Sequence, residues 1–128
     1  MDYFSSNSLL LMQRSMNYLW TKQAAISDNI TNAETPGYKA KIVSFEEDLR
    51  EKLEEARRSG RPRANMRSVL ENACPNVITA EESTRLDGNG VNTTEQMVEL
   101  VRNAYQLQYV MNAISTDLNT LRTAIGSR

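Results

Sequence analysis

The strongest constraint on this chain is a heptad in its last third. Met97, Leu100, Ala104, Leu107, Met111, Ile114, Leu118, Leu121 and Ile125 follow one another at alternating steps of three and four. An apolar period of 3.5 held over four repeats describes a helix that winds left-handedly around a partner. The stretch "NTTE" supplies its start, with Asn92 at the N-cap and Glu95 three residues on, a capping-box arrangement. Gly126 supplies its end. A helix from Thr94 to Ile125 is roughly 48 Å long at 1.5 Å per residue.

The same period appears at the other end. Leu9, Met12, Met16, Leu19, Gln23, Ile26, Ile30 and Ala33 form a second seam, with Ser6, Asn7 and Ser8 as N-cap candidates. Gln23 is a polar residue at an apolar position, where it sets register or lies at the seam's edge. The methionines on both seams are read as core filling. Pro36 stops this helix. Pro36-Gly37 suits the centre of a type II turn, whose second central residue needs positive φ. Tyr38 to Val43 then reads as extended.

Between the two helices, "FEEDLREKLEEARR" (45–58) is a charged helical segment with an apolar stripe at Phe45, Leu49 and Leu53. "SGRPRANMR" (59–67) reads as a linker, and 68–90 as irregular, with "NVIT" (76–79) a candidate strand and "DGNG" (87–90) a turn. The expected fold is therefore mainly all-α. Two long terminal heptad helices pair as a coiled coil around a mostly irregular middle containing a short charged helix and a short strand. Residues 1–44, 45–90 and 91–128 are its three segments, within one structural unit.

An antiparallel hairpin would give each heptad a partner within the chain. The composition of the last helix asks for more. Val98, Val101, Tyr105, Tyr109 and Val110 lie off its seam, and only six residues of 91–128 are charged, against thirteen in 45–67. Such a helix suits contact on several sides.

Chemistry is scarce. The 128 residues include no histidine and a single cysteine, Cys74, so the commonest general base and metal ligand are absent and no intrachain disulfide forms. The carboxylates of 46–55 sit among basic partners as a solvated face. The loop "LDGNGVNTTE" lacks the calcium ligands of an EF-hand at positions 5 and 12. The five arginines of 57–67 have no interleaved aromatics for nucleic-acid stacking, and the net charge of −1 supplies no basic field. No Walker or Rossmann glycine pattern occurs. No catalytic residue, cofactor or metal is expected, nor an enzyme. No apolar run is long enough to cross a bilayer, and the first residues lack the basic start of a signal peptide.

Two stretches carry a resemblance. "SDNITNAETPGYKAK" (27–41) resembles the N-terminal signature of bacterial flagellar axial proteins, the rod and hook family, through Ser27, Asn29, Ile30, Asn32, Thr35, Pro36, Gly37 and Tyr38, with Thr31 in place of alanine. "LDGNGVNTTEQM" (86–97) resembles the family's C-terminal signature through Asp87, Gly88, Asn89, Val91, Glu95 and Met97. There Gly90 replaces an asparagine, and Gln96 separates Glu95 from Met97. The short chain, without an inserted outer domain, and the "FEEDL" after the turn point to the proximal-rod branch.

The resemblance implies a structural subunit that polymerises through its terminal helices into a helical tube transmitting torque and continuing the export channel. It implies residence in the basal body, in the periplasm, after export without a cleaved leader. The implied partners are further copies of the chain, other rod proteins of the FlgC, FlgF and FlgG types, the adaptor protein FliE, the MS ring and the flagellar export gate. On the N-terminal side, the assembly residues are Met12, Met16, Leu19, Ile26 and Ile30, and on the C-terminal side the heptad from Leu100 to Ile125. Phe45 and Leu49 resemble a Phe-x-x-x-apolar export signal, and they equally fit a plain helix stripe. The competing reading of the whole chain is a coiled-coil adaptor or export chaperone working as a discrete small oligomer.

Overall fold

The fold was described from a computed structural model, which describes residues 6–80 and 91–126. Four helices and two short strands follow in the order α1 (Asn7–Thr31), β1 (Lys41–Ser44), α2 (Glu46–Arg58), α3 (Pro62–Glu71), β2 (Asn76–Thr79) and α4 (Thr93–Gly126). The architecture is mainly helical, as the two heptads predict.

Helix α1 starts where Ser6 accepts the Leu9 N–H on its hydroxyl, at 3.1 Å. It runs antiparallel to α4. Asn29 meets Gln96 at one end of the pair, and Asn103 meets Gln23 further along. Only part of the C-terminal heptad lies in this contact. Leu107 is buried, and Leu100, Ile114 and Leu121 are half-buried. Met97, Ala104, Met111, Leu118 and Ile125 are exposed. The inward positions between the leucines are taken by Asn103, Val110 and Asp117, each one residue earlier than the apolar repeat places them. The seam facing α1 is thus rotated off the most apolar line of α4.

Gln23 acts as a register device. Asn103, fully buried, donates its Nδ2 to the Gln23 Oε1 at 2.7 Å and to the Leu19 carbonyl at 3.0 Å. Sliding the helices by one turn would strand these buried amides, so the pair fixes one alignment.

The middle of the chain is more regular than its composition suggests. The expected linker at 59–67 gives way to α3, with Pro62 in the first turn, where a missing N–H costs nothing. Met66, Val69, Leu70 and Ala73 share one face at helical spacing, and that face supplies Leu70, 2% exposed, to the core. Arg14 of α1 holds the far end of α3. Its guanidinium donates to the carbonyls of Leu70 and Glu71, at 3.0 and 2.8 Å, two of the groups a helix C-terminus leaves unpaired. The predicted strand at 76–79 pairs antiparallel with β1, Ile42 opposite Ile78 and Val43 opposite Val77. The main core joins the helices. Tyr18 and Leu19 of α1, Phe45, Leu49 of α2, Leu70 and Leu107 pack together, with the rings of Tyr18 and Phe45 stacked 4.9 Å apart.

Candidate functional site

The residues of the N-terminal signature converge on one side chain. Asn29 lies on the last turns of α1 and is 1% exposed. Its Oδ1 accepts the backbone N–H of Lys41 at 2.8 Å and the hydroxyl of Tyr38 at 3.1 Å. Its Nδ2 donates to the Lys41 carbonyl at 2.8 Å and to Gln96 Oε1 at 3.0 Å. One primary amide thus pairs with both backbone groups of Lys41, as a neighbouring strand would. It covers the outer edge of β1 there and ties α1 to the turn and to α4. Such an edge is otherwise open to pairing with another chain.

The neighbouring signature residues shape the turn that brings Lys41 back to Asn29. Asn32 ends α1, its N–H and Nδ2 both donating to the Asp28 carbonyl. Its Oδ1 accepts from the Thr35 hydroxyl and its carbonyl from the Thr35 N–H. The Tyr38 N–H donates to the Thr35 carbonyl at 3.2 Å across Pro36-Gly37, and Gly37 has φ of 71°. This is the type II turn expected from the dipeptide, and Gly37 holds the position that an L side chain tolerates poorly. Lys41 Nζ adds an exposed pair with Asp28 at 2.7 Å, which raises the lysine pKa through the hydrogen bond and then the charge of that carboxylate.

The C-terminal signature meets the same junction. Val91, 0% exposed, packs with Ala33 and Ala40, and Tyr38 lies against them. Tyr38 is therefore engaged within its own chain. Asn92 caps α4 as predicted, its Oδ1 accepting the N–H groups of Thr94 and Glu95 at 3.2 and 3.4 Å. Gln96, an interruption of the signature in the sequence, reaches Asn29. Met97 points away, 54% exposed, and Ile30 is half-buried. Asp87, Gly88 and Asn89 lie outside the described residues.

Phe45 and Leu49, the candidate export signal, are buried in the core at 6% and 8% exposure. In the folded chain they form the helix stripe. They also floor a groove of about 670 Å³ between α1, α2 and α4, with Met66 of α3 also lining it, walled by Tyr105, Tyr109 and Val110 on one side and the α2 side chains from Glu46 to Arg57 on the other. Sequence reasoning placed Tyr105 and Tyr109 off the seam but did not find the groove, because it depends on where α2 docks.

Lys22 lies over the Tyr18 ring, its Nζ 5.9 Å from the centroid and 3.2 Å from Glu99. Burial raises the Tyr18 pKa against the opposing charge of Lys22. For Lys22, burial opposes the shift but Tyr18 and Glu99 outweigh it, and its pKa also rises. This is a packing arrangement beside the core. Among the described residues no cluster of three His, Cys, Asp or Glu side chains is placed to hold a metal, and no helix is long and apolar enough to cross a membrane.

The family described as "Flagella basal body rod protein" matches residues 12–39, which run from α1 through Asn29 and the Pro36-Gly37 turn. Curated relatives extend the likeness along the chain. The flagellar basal body rod protein FlgB of Bacillus subtilis (strain 168) is 27% identical over 124 residues, covering 94% of each chain. FlgB of Escherichia coli (strain K12) is 25% identical over 129 residues, again covering 94% of each. FlgB of Yersinia enterocolitica is 36% identical over 53 residues, 41% of this chain and 39% of that one. All three names are of the basal body rod, as the resemblance in the two signatures implies. With Asn29, Tyr38 and Gln96 joined around one buried amide and the likeness running nearly end to end, the chain is similar to flagellar basal body rod proteins along most of its length.

Proposed function

We propose that this chain is a structural subunit of the proximal rod of the bacterial flagellar basal body. It polymerises through its terminal helices into a helical tube that transmits torque and continues the export channel. The observation that carries this reading is α4. Its inward seam packs on α1, yet Val98, Val101, Tyr105 and Tyr109 are 53 to 76% exposed, and Met97, Met111, Leu118 and Ile125 add a second apolar line. A helix apolar beyond its intramolecular contact loses water-exposed area only in an assembly. At about 25 cal/mol per Å² of apolar surface removed from water, covering these side chains is a substantial drive to associate.

The relatives' names speak of the basal body rod, which supports residence there. The periplasmic setting, export without a cleaved leader, and contacts with FliE, the MS ring, the export gate and other rod proteins belong to this proposal. An export-signal role for Phe45 and Leu49 belongs to the unfolded chain, since both side chains are buried after folding.

Light scattering of the purified chain against concentration tests the reading. Open-ended growth, or addition to isolated rods, is the expected result. A fixed dimer at every concentration would instead favour the adaptor.

A further inference from the structure

The geometry points to the groove between α1, α2 and α4 as a socket for the C-terminal end of α4 from a second copy of this chain. The inference rests on the polymerisation reading and names the contact that makes the polymer directional. Three features of the molecule argue for this occupant.

The first is shape. The floor of the groove is apolar, formed by Tyr18, Leu19, Phe45, Leu49 and Leu53, with α1, α2 and α4 along it and Met66 of α3 also lining it. A helix from another copy laid along it would cover this floor. The second is the plug. The antiparallel pairing places α4 residues near 118 opposite the start of α1 at Asn7, so the last two turns of α4 project beyond the described part of α1. On those turns Leu118, Leu121 and Ile125 recur at i, i+3 and i+7, the anchor pattern of a helix bound in a groove. Leu118 and Ile125 are 44% and 66% exposed. The third is polar matching. Gln106 lines the groove, and its Oε1 is buried with no hydrogen-bond partner. The α2 rim alternates Glu46 and Glu54 with Arg50 and Arg57, and Glu54 already faces Arg50 and Arg58, so the rim sets no charge preference and the match rests on Gln106. The plug carries Asn119 as an amide donor for that oxygen.

Socket and plug are different surfaces of one molecule. Their contact is heterologous, so it repeats without closing unless the rotation between copies makes a ring. A nine-residue plug is smaller than the roughly 1,600 Å² of a standard stable interface, so a single contact is weak and is read at high protein concentration.

The test uses three versions of the full chain in sedimentation velocity at several hundred micromolar. Tyr105→Glu with Tyr109→Glu puts charge on the socket wall, at positions 70% and 76% exposed. Ile125→Asp disables the plug. Far-UV circular dichroism checks that helix content is unchanged. The unsubstituted chain is expected to grow with concentration, and each variant alone to associate at least tenfold more weakly. An equal mixture of the two variants is expected to form a one-to-one dimer and stop, because one good plug and one good socket remain.

Growth of the unsubstituted chain with no dimer in the mixture would overturn the socket while leaving polymerisation standing. A loss of association by the socket variant alone, with Ile125→Asp unaffected, would assign the groove to another occupant such as residues 1–5, and would also overturn the proposal. An unsubstituted chain that stays monomeric at every concentration would remove both.

Discussion

Replacing Asn29 by Ala removes four hydrogen bonds at once: two to the Lys41 backbone, one from Tyr38 and one to Gln96. Each is worth about 1 kcal/mol net, and they share two atoms of one amide, so the losses do not simply add. Partly offsetting this, Lys41 and Gln96 lie near the surface and regain some hydration. The expected cost is about 3 kcal/mol, a large share of the stability of a domain this size. With an unfolding entropy of about 2.1 cal/mol/K per residue, 128 residues correspond to a fall in Tm of about 10 °C. Urea denaturation followed by far-UV circular dichroism measures the first figure, and a thermal scan the second. Asn29→Asp sharpens the test. It keeps the acceptor for Lys41 N–H and Tyr38, but turns an oxygen toward the Lys41 carbonyl and the Gln96 oxygen, so it should be no more stable than the Ala variant at neutral pH. An Ala variant within about 0.5 kcal/mol of the parent, or an Asp variant as stable as the parent, would refute the clamp.

Other outcomes follow from the same structure. Leu70→Ala should cost about 3 kcal/mol in urea denaturation, since a side chain 2% exposed leaves a cavity; a loss under about 1 kcal/mol would mean that α3 is not part of the core. Gly37→Ala should cost about 1 kcal/mol through its φ of 71° alone, because a Cβ there meets nothing within 4 Å, and Gly37→Asn should cost less by the same measurement. Tyr18 has a folded pKa raised above its ordinary 10.0, and Lys22 one raised above 10.5. In both cases the folded chain holds the proton more tightly than the unfolded chain does. Their contribution is therefore complete below pH 10 and is lost as the pH rises through the folded values. Denaturation midpoints between pH 9 and 12 should fall, and Tyr18→Phe should flatten that fall; an unchanged slope in the variant would remove Tyr18 as a source.

The elements legible in the sequence were those whose cause is local. Two heptads predicted two long helices because a 3.5-residue period is a property of the chain itself. Ser6 and Asn92 capped where short polar side chains ordinarily do, and Pro36-Gly37 turned because φ is restricted at one residue and free at the other. Helix α3 was hidden because Pro62 and four flanking charges outweighed a face of four apolar residues, and that face gains meaning only when α1 and Arg14 are there to meet it.

The sequence by itself determined that this chain is helical at both ends, turns at Pro36 and carries more apolar surface on α4 than one partner covers. Tertiary structure alone decided which line of α4 faces inward. The buried amide of Asn103 finds its acceptors on α1 there, so the inner seam lies one residue off the most apolar heptad and leaves Met97, Met111 and Ile125 outside. It alone decided that Asn29 reads both backbone groups of Lys41, a contact twelve residues distant that no pattern of side chains specifies. Burial and hydrogen-bond satisfaction depend on what the rest of the chain brings near, and periodicity does not.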